Sequence, residues 1–133
     1  MPAIDTNILV RLAVGDDAGQ VELAENFVKK GAWVSHVVLV EAVWVLRSFY
    51  ERSAQQIVRS IEMLLSNTDL TLQEADVVEA ALELFRANPA IGFSDCLVLS
   101  TASKAGHLPL ATFDRALGKL DGAVRLTGGT LRR

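Results

Sequence analysis

Apolar residues recur at helical spacing in several segments of the chain, and short apolar runs bounded by glycine, proline or charged residues separate these segments. The helical spacing predicts helices over residues 6–12, 17–30, 36–50, 53–65, 74–87, 94–105 and 115–120. The short runs predict strands over residues 2–5, 32–35, 69–72, 108–112 and 123–126. For the helix 17–30, the predicted inward face consists of Val21, Ala24, Phe27 and Val28, with Leu23 at its edge.

The alternation of strands and helices indicates an α/β fold, because parallel strands need crossover helices and are covered by them on both faces. We therefore predict a single domain over residues 1–133, built as a three-layer α/β/α sandwich with a central, mostly parallel sheet. Ligands of such sheets bind beyond the carboxyl ends of the strands. Asp5 and Asp114 both follow predicted strands, and Asp95 opens a predicted helix.

The helix predicted over residues 36–50 is apolar on nearly every side. Its valine-rich start alone would also fit a strand, whereas its length and its ending favour a helix buried on most sides. Glu41 is the only charged residue between positions 37 and 46. A buried carboxylate without a partner is strongly unfavourable or becomes neutral, so Glu41 is expected to have a specific role.

Composition places the chain among folded domains without a membrane span. Half of its 133 residues are hydrophobic, which predicts a genuine core. No apolar run approaches the ~20 residues of a membrane span, the start lacks a signal-peptide pattern, and the single Cys96 excludes an internal disulfide. We therefore expect a cytoplasmic protein.

Four carboxylates, Asp5, Glu41, Asp95 and Asp114, border or interrupt apolar stretches. Together they would repel one another unless a cation lay between them, which predicts a divalent-metal site assembled from distant parts of the chain. The net charge of −3 argues mildly against binding nucleic acid over the whole surface. Without these four, however, the 16 acidic residues fall to 12 against 13 basic ones, and a metal would reverse the sign of the site.

Each carboxylate also has a purely structural interpretation. Asp5 and Asp114 would cap the helices that follow them, and Asp95 would stabilise the first turn of a helix capped by Ser94. Glu41 lies beyond the first turn of its helix, so its alternative is a core glutamate satisfied by a buried arginine or by water. The sequence leaves these alternatives open.

The remaining residues with catalytic or binding chemistry are weaker candidates. His36 and His107 lack metal-ligand spacing and are expected in caps or loops. Cys96 is expected in the core, and Trp33 and Trp44 in the core or an interface.

The opening Ile4-Asp5-Thr6-Asn7-Ile8-Leu9-Val10-Arg11 resembles the first motif of the PIN-domain nucleases, and more narrowly that of the VapC-type toxins of prokaryotic toxin–antitoxin pairs. The later acids stand in Val40-Glu41-Ala42, Gly92-Phe93-Ser94-Asp95-Cys96-Leu97 and Ala111-Thr112-Phe113-Asp114-Arg115. The resemblance covers the whole chain, with the four acids in the family's order. Some relatives carry a further acid where this chain has Leu99, so the number of metal ions stays open.

The resemblance implies a PIN-like fold and an endoribonuclease that depends on Mg²⁺, with Mn²⁺ as a substitute, and that leaves 5′-phosphate and 3′-hydroxyl ends. It assigns Asp5, Glu41, Asp95 and Asp114 as catalytic carboxylates and metal ligands. Thr6, Asn7 and Thr112 would hold these carboxylates in place. The chemistry agrees, because hard divalent cations prefer oxygen ligands.

The resemblance also implies three partners: an RNA substrate, a small antitoxin whose C-terminal segment blocks the site, and a second copy of the chain. The apolar helix 36–50 independently supports a homodimer, whose groove would be flanked by Arg11, Arg47 and Arg115. An RNA-processing nuclease without an antitoxin is the main alternative. A Mg²⁺-binding receiver domain fits poorly because no suitable Asp follows a middle strand, and a non-catalytic binding module stays open.

Overall fold

The structure is a computed structural model that describes residues 1–127, so residues 128–133 of the predicted domain lie outside the described residues. Its α-helices are α1 (Thr6–Val14), α2 (Ala18–Val28), α3 (His36–Ser48), α4 (Ala54–Ser66), α5 (Ala75–Ala87) and α6 (Phe93–Ala105). Its strands are β1 (Ala32–Val34), β2 (Leu70–Leu72), β3 (Leu110–Thr112) and β4 (Ala123–Arg125). Within the described part of the chain, no helix is both long and apolar enough to cross a membrane.

The chain forms two compact units, Met1–Glu79 and a second that begins at Ala80, and α5 runs from one into the other. Each unit contains one parallel pair of strands: β1 pairs with β2 in the first, and β3 pairs with β4 in the second. Helices alternating with parallel strands confirm the predicted α/β class, and they are compatible with an α/β sandwich.

The strand predicted over residues 2–5 is reduced to a single parallel bridge between Ala3 and Trp33. The N–H of Trp33 donates a 2.8 Å hydrogen bond to the carbonyl of Pro2. Proline has no N–H with which to continue a ladder, and α1 begins almost immediately afterwards. The segment therefore lies alongside β1 without forming a strand of its own.

The core of the first unit is built from α1, α3 and α4, whose Leu9, Leu39, Leu46, Ile57 and Ile61 are fully buried. The inward face predicted for α2 is partly wrong. Ala24 and Val28 are buried, but Leu23 and Phe27 are 72% and 56% exposed. Helix α2 packs on α1, but the only residues that it buries are Ala24 and Val28, so the neighbouring Phe27 stays at the surface.

The predicted inward residues of α5 are all buried: Val77, Val78, Ala81, Leu82 and Phe85. In the second unit, Phe85 packs edge to face on Phe93, the first residue of α6, with ring centroids 6.2 Å apart. Cys96 is fully buried, as predicted. These contacts anchor the N-terminal turn of α6, which carries Asp95.

The helix predicted over residues 115–120 is only a 3₁₀ turn, Leu117–Lys119. Gly118 explains why the turn lies so close to β4, since a Cβ at this position would approach the Cβ of Arg125 to 2.6 Å. The N–H of Leu117 donates a 2.8 Å bond to Oδ2 of Asp114. Asp114 therefore accepts a hydrogen bond from the first residue of the turn, in line with its structural interpretation, although the residue at the N-cap position is Ala116.

Candidate active site

Asp5 and Glu41 are joined through one residue, Thr6. Asp5 is the N-cap of α1, and its Oδ1 accepts a 2.7 Å hydrogen bond from the N–H of Thr6. The hydroxyl of Thr6 donates a 2.8 Å bond to Oε1 of Glu41, in the second turn of α3. Because α1 packs against α3, two carboxylates that are far apart in sequence lie at one place in the first unit.

An open pocket of about 360 Å³ contains both carboxylates. Asp5, Thr6, Asn7 and Glu41 form its polar end. The rest of its wall consists of Val10, Arg11, Val45, Phe49 and Tyr50. Its volume lies toward the small end of the range of roughly 300–1,000 Å³ that is typical of ligand sites.

The expectation that Glu41 is buried is wrong. Its side chain is exposed, as are those of Asp5 and Asp114, and only Asp95 is half-buried. Helix α3 buries Leu39, Ala42, Val43 and Leu46 on one face, and the opposite face carries Val37 and Trp44, which are 71% and 67% exposed. The apolar sequence around Glu41 therefore does not bury its side chain. Trp44 is likewise not a core residue.

Asp95 and Asp114 interact in the second unit. Asp95 lies in the first turn of α6, and burial together with the nearby charge of Asp114 raises its pKa. The predicted Ser94 cap is wrong, because the N-cap of α6 is Gly92 and no side chain caps this helix. The smaller of the two causes, repulsion between the charges of Asp95 and Asp114, would be relieved by a bound cation.

Thr112 and Asn7 are both near candidate acids, Thr112 through a hydrogen bond and Asn7 as part of the pocket wall. The hydroxyl of Thr112 accepts a 3.0 Å hydrogen bond from the N–H of Asp114, so it fixes the backbone of this residue and not its carboxylate. Asn7 lines the pocket of Asp5 and Glu41. Asn7 therefore lies where a residue can help to orient a carboxylate, whereas Thr112 acts only on the backbone that carries Asp114.

A hydrogen-bonded network at the pocket was not predicted from the sequence. Nη1 of Arg11 donates to Oδ1 of Asp16 and, over 3.2 Å, to the hydroxyl of Tyr50, which in turn donates a 3.0 Å bond to Oδ2 of Asp16. The bond with Tyr50 raises the pKa of Arg11 and lowers that of Asp16. Arg11, expected among the basic residues that flank a groove, is thus hydrogen-bonded within its own unit.

A sequence signal for the aromatic end of the pocket was nevertheless present. Glu41, Val45 and Phe49 follow one another at intervals of four residues, which places them along one side of α3 and its C-terminal extension. Reading this row outward from Glu41 would have identified Phe49 as a neighbour of the site.

The carboxylates occur as two pairs, Asp5 with Glu41 and Asp95 with Asp114. Oxygen ligands of this kind suit Mg²⁺ and Mn²⁺. Within residues 1–127, no group of three or more His, Cys, Asp or Glu side chains is arranged to hold a metal ion. The donor chemistry therefore fits a hard divalent cation, and a centre formed by all four acids stays a prediction.

A comparison with protein-family models matches residues 3–123 of the chain to the family described as PIN domain. The matched range includes all four candidate acids. PIN domains are generally nucleases that use divalent metals, so the match supports a hydrolase that acts on nucleic acid. No curated protein matches the chain.

Proposed function

The chain belongs to the PIN domain family, and on that premise we propose that it is a Mg²⁺-dependent endoribonuclease for which Mn²⁺ can substitute. The observation that carries the proposal is the link from Asp5 through Thr6 to Glu41. An exposed hydrogen bond of this kind contributes only ~1 kcal/mol or less to stability. Holding two carboxylates at an open pocket is better explained by a need for oriented oxygen ligands.

The four acids have distinct roles in this proposal. Asp5, Glu41 and Asp95 bind the metal directly or through water, and Asp114 binds a second metal or orients the attacking water. When bound, Mg²⁺ supplies the positive charge that makes water more acidic and stabilises negative charge on the phosphate. Thr6 holds the first pair of acids through its N–H and hydroxyl. Thr112 fixes the backbone turn that carries Asp114.

We also propose that the enzyme is the toxin of a VapBC-type pair, controlled by a small antitoxin and active as a homodimer in the cytoplasm. Its motifs resemble those of VapC-type toxins, and the exposed Val37 and Trp44 offer an apolar face to a second copy. A buried free Cys96 is consistent with a reducing compartment. An RNA-processing nuclease would share the chemistry, but it would not co-purify with the product of a small adjacent open reading frame.

Cleavage of an end-labelled RNA by the purified protein tests the proposed activity. We expect no cleavage in EDTA, recovery with excess Mg²⁺ or Mn²⁺, and no recovery for Asp5→Asn, which keeps a side chain able to cap α1. Cleavage that persists in EDTA would contradict metal dependence. Cleavage by Asp5→Asn at the wild-type rate would contradict the assignment of the site.

A further inference from the structure

The pocket that contains Asp5 and Glu41 has a second, aromatic end with no role in holding a metal. Phe49 follows α3 directly and lies eight residues after Glu41, which corresponds to ~12 Å along a helix. Val45 lies between them on the same side and also lines the pocket. A ligand held at the acids can therefore extend along α3 as far as the ring of Phe49.

The ring of Phe49 is both accessible and held in place. It is 74% exposed, and it packs edge to face on Tyr50 with centroids 5.0 Å apart and planes at 79°. A single exposed aromatic residue is ordinary on a protein surface. This one differs because its ring forms part of the wall of the candidate active site.

The network behind Tyr50 restrains the pair of rings. The Tyr50 hydroxyl bonds to both Arg11 and Asp16, and Nε of Arg11 donates a 2.6 Å bond to Gln20. The charge of Arg11 is balanced by Asp16, so among the described residues that line this end of the pocket no basic side chain is left unpaired to attract a phosphate. A preorganised aromatic surface without net charge suits a planar base better than a backbone phosphate.

We propose that Phe49 is a nucleobase-binding residue, on which one base of a single-stranded RNA stacks while a nearby phosphate lies at the Asp5 and Glu41 end of the pocket. This inference rests on the proposed function. Bases within a duplex are already stacked on one another, whereas an unpaired base offers a free face to an aromatic side chain. Recognition by stacking is tolerant of base identity, so the subsite selects single strands and not a sequence.

Steady-state cleavage of a short single-stranded RNA by the full chain tests the subsite. Phe49→Ala should raise KM about tenfold and leave kcat within about twofold, the loss expected for one stacked base. Phe49→Ile, which keeps apolar bulk without an aromatic face, should behave like Phe49→Ala, and Phe49→Trp should retain the wild-type KM. Phe27→Ala is the matched control, because Phe27 is also exposed but lies outside this pocket.

An RNA with a single abasic position identifies the stacked base. Scanning that position should find one site where the wild-type KM rises about tenfold and the KM of Phe49→Ala does not rise further. Equal KM values for wild type and Phe49→Ala, or full activity of Phe49→Ile, would overturn the subsite while leaving the nuclease intact. A lower oligomeric mass for Phe49→Ala by light scattering would also overturn it, because the ring would then belong to an interface between copies.

A failure of the proposed nuclease function can be distinguished from a failure of the Phe49 subsite. If the wild type cleaves no RNA with Mg²⁺ or Mn²⁺, the proposed function fails, and fluorescence anisotropy with the same RNA then tests the subsite alone. Weaker binding by Phe49→Ala than by Phe27→Ala would support it, and equal binding would overturn it.

Discussion

The hydroxyl of Thr6 donates a 2.8 Å hydrogen bond to Glu41, so the first residue of α1 fixes a side chain in the second turn of α3. The N–H of the same threonine donates to Asp5. One residue thus positions two carboxylates by two different groups, and only one of these groups belongs to its side chain. Substitution can therefore release Glu41 while Asp5 keeps its bond to the backbone.

Thr6→Val should reduce kcat for RNA cleavage by ~10–100-fold, the loss typical when a residue that orients a metal ligand is removed. Valine keeps the shape of threonine and loses the hydroxyl. Thr6→Ser is the matched control, because it retains a donor for Glu41 and should keep most of the activity. Equal kcat values for the valine and serine variants would show that the hydroxyl does not matter.

Glu41→Gln should abolish cleavage and weaken Mn²⁺ binding, because an amide lacks the charge of a carboxylate ligand. Glu41 is exposed, so its replacement should change the free energy of unfolding by no more than ~0.5 kcal/mol. Calorimetry with Mn²⁺ measures the first effect and thermal unfolding the second. Wild-type Mn²⁺ binding by Glu41→Gln would remove Glu41 from the ligand set.

The helices were predictable because their inward faces repeat at regular spacing, and those of α4 and α5 did so over several turns. Burial was less predictable where a helix is apolar all round. Residues 37–46 suggest a core helix, yet Val37 and Trp44 are exposed. Hydrophobicity alone does not tell which side of such a helix meets the rest of the chain.

The candidate acids could be named from the sequence, but their contacts could not. The bond from Thr6 to Glu41 joins residues 35 positions apart, and the Tyr50 bond to Asp16 joins residues 34 apart. No local rule predicts such pairs, because they depend on how α1 and α3 pack. For the same reason the hydrogen bonds of Arg11 to Asp16 and Tyr50 could not be predicted, because the sequence shows only that Arg11 is basic.

Gly92→Ala should destabilise the protein by ~1–3 kcal/mol and lower the cleavage rate. Gly92 has φ of 90° and ψ of 147°, a conformation that L side chains rarely adopt, and it starts the helix whose first turn carries Asp95. Gly19→Ala is the control, because Gly19 lies within α2 at ordinary φ and alanine favours a helix there. Unfolding by chemical denaturant compares the two. A destabilisation of Gly92→Ala no larger than that of Gly19→Ala would exclude backbone strain.

Trp44→Glu should convert the proposed dimer to a monomer, because a charge would replace the largest apolar side chain on the exposed face of α3. Met63→Glu on α4 is a close control, since Met63 is 68% exposed and Trp44 is 67% exposed. Light scattering gives the mass of each variant. A wild type that is monomeric both alone and with its antitoxin would contradict the proposed homodimer.

Asp16→Asn should lower Tm at pH 7, and this effect should become smaller as the pH falls below about 3.8. The hydrogen bond from Tyr50, with the charge of Arg11, lowers the pKa of Asp16 below its usual value of 3.8. A carboxylate with a lowered pKa stabilises the fold fully above the unfolded-state pKa, and that stabilisation is lost as the pH falls through the folded-state value. Asp16 is exposed, so added salt should also reduce the effect.

Tyr50→Phe removes the principal hydrogen bond to Asp16 and should show the same pH dependence of Tm. The double variant should then lose little more stability than either single variant. The same Tm difference between wild type and Asp16→Asn at pH 7 and pH 3 would exclude an ionised Asp16 as the source of the stabilisation.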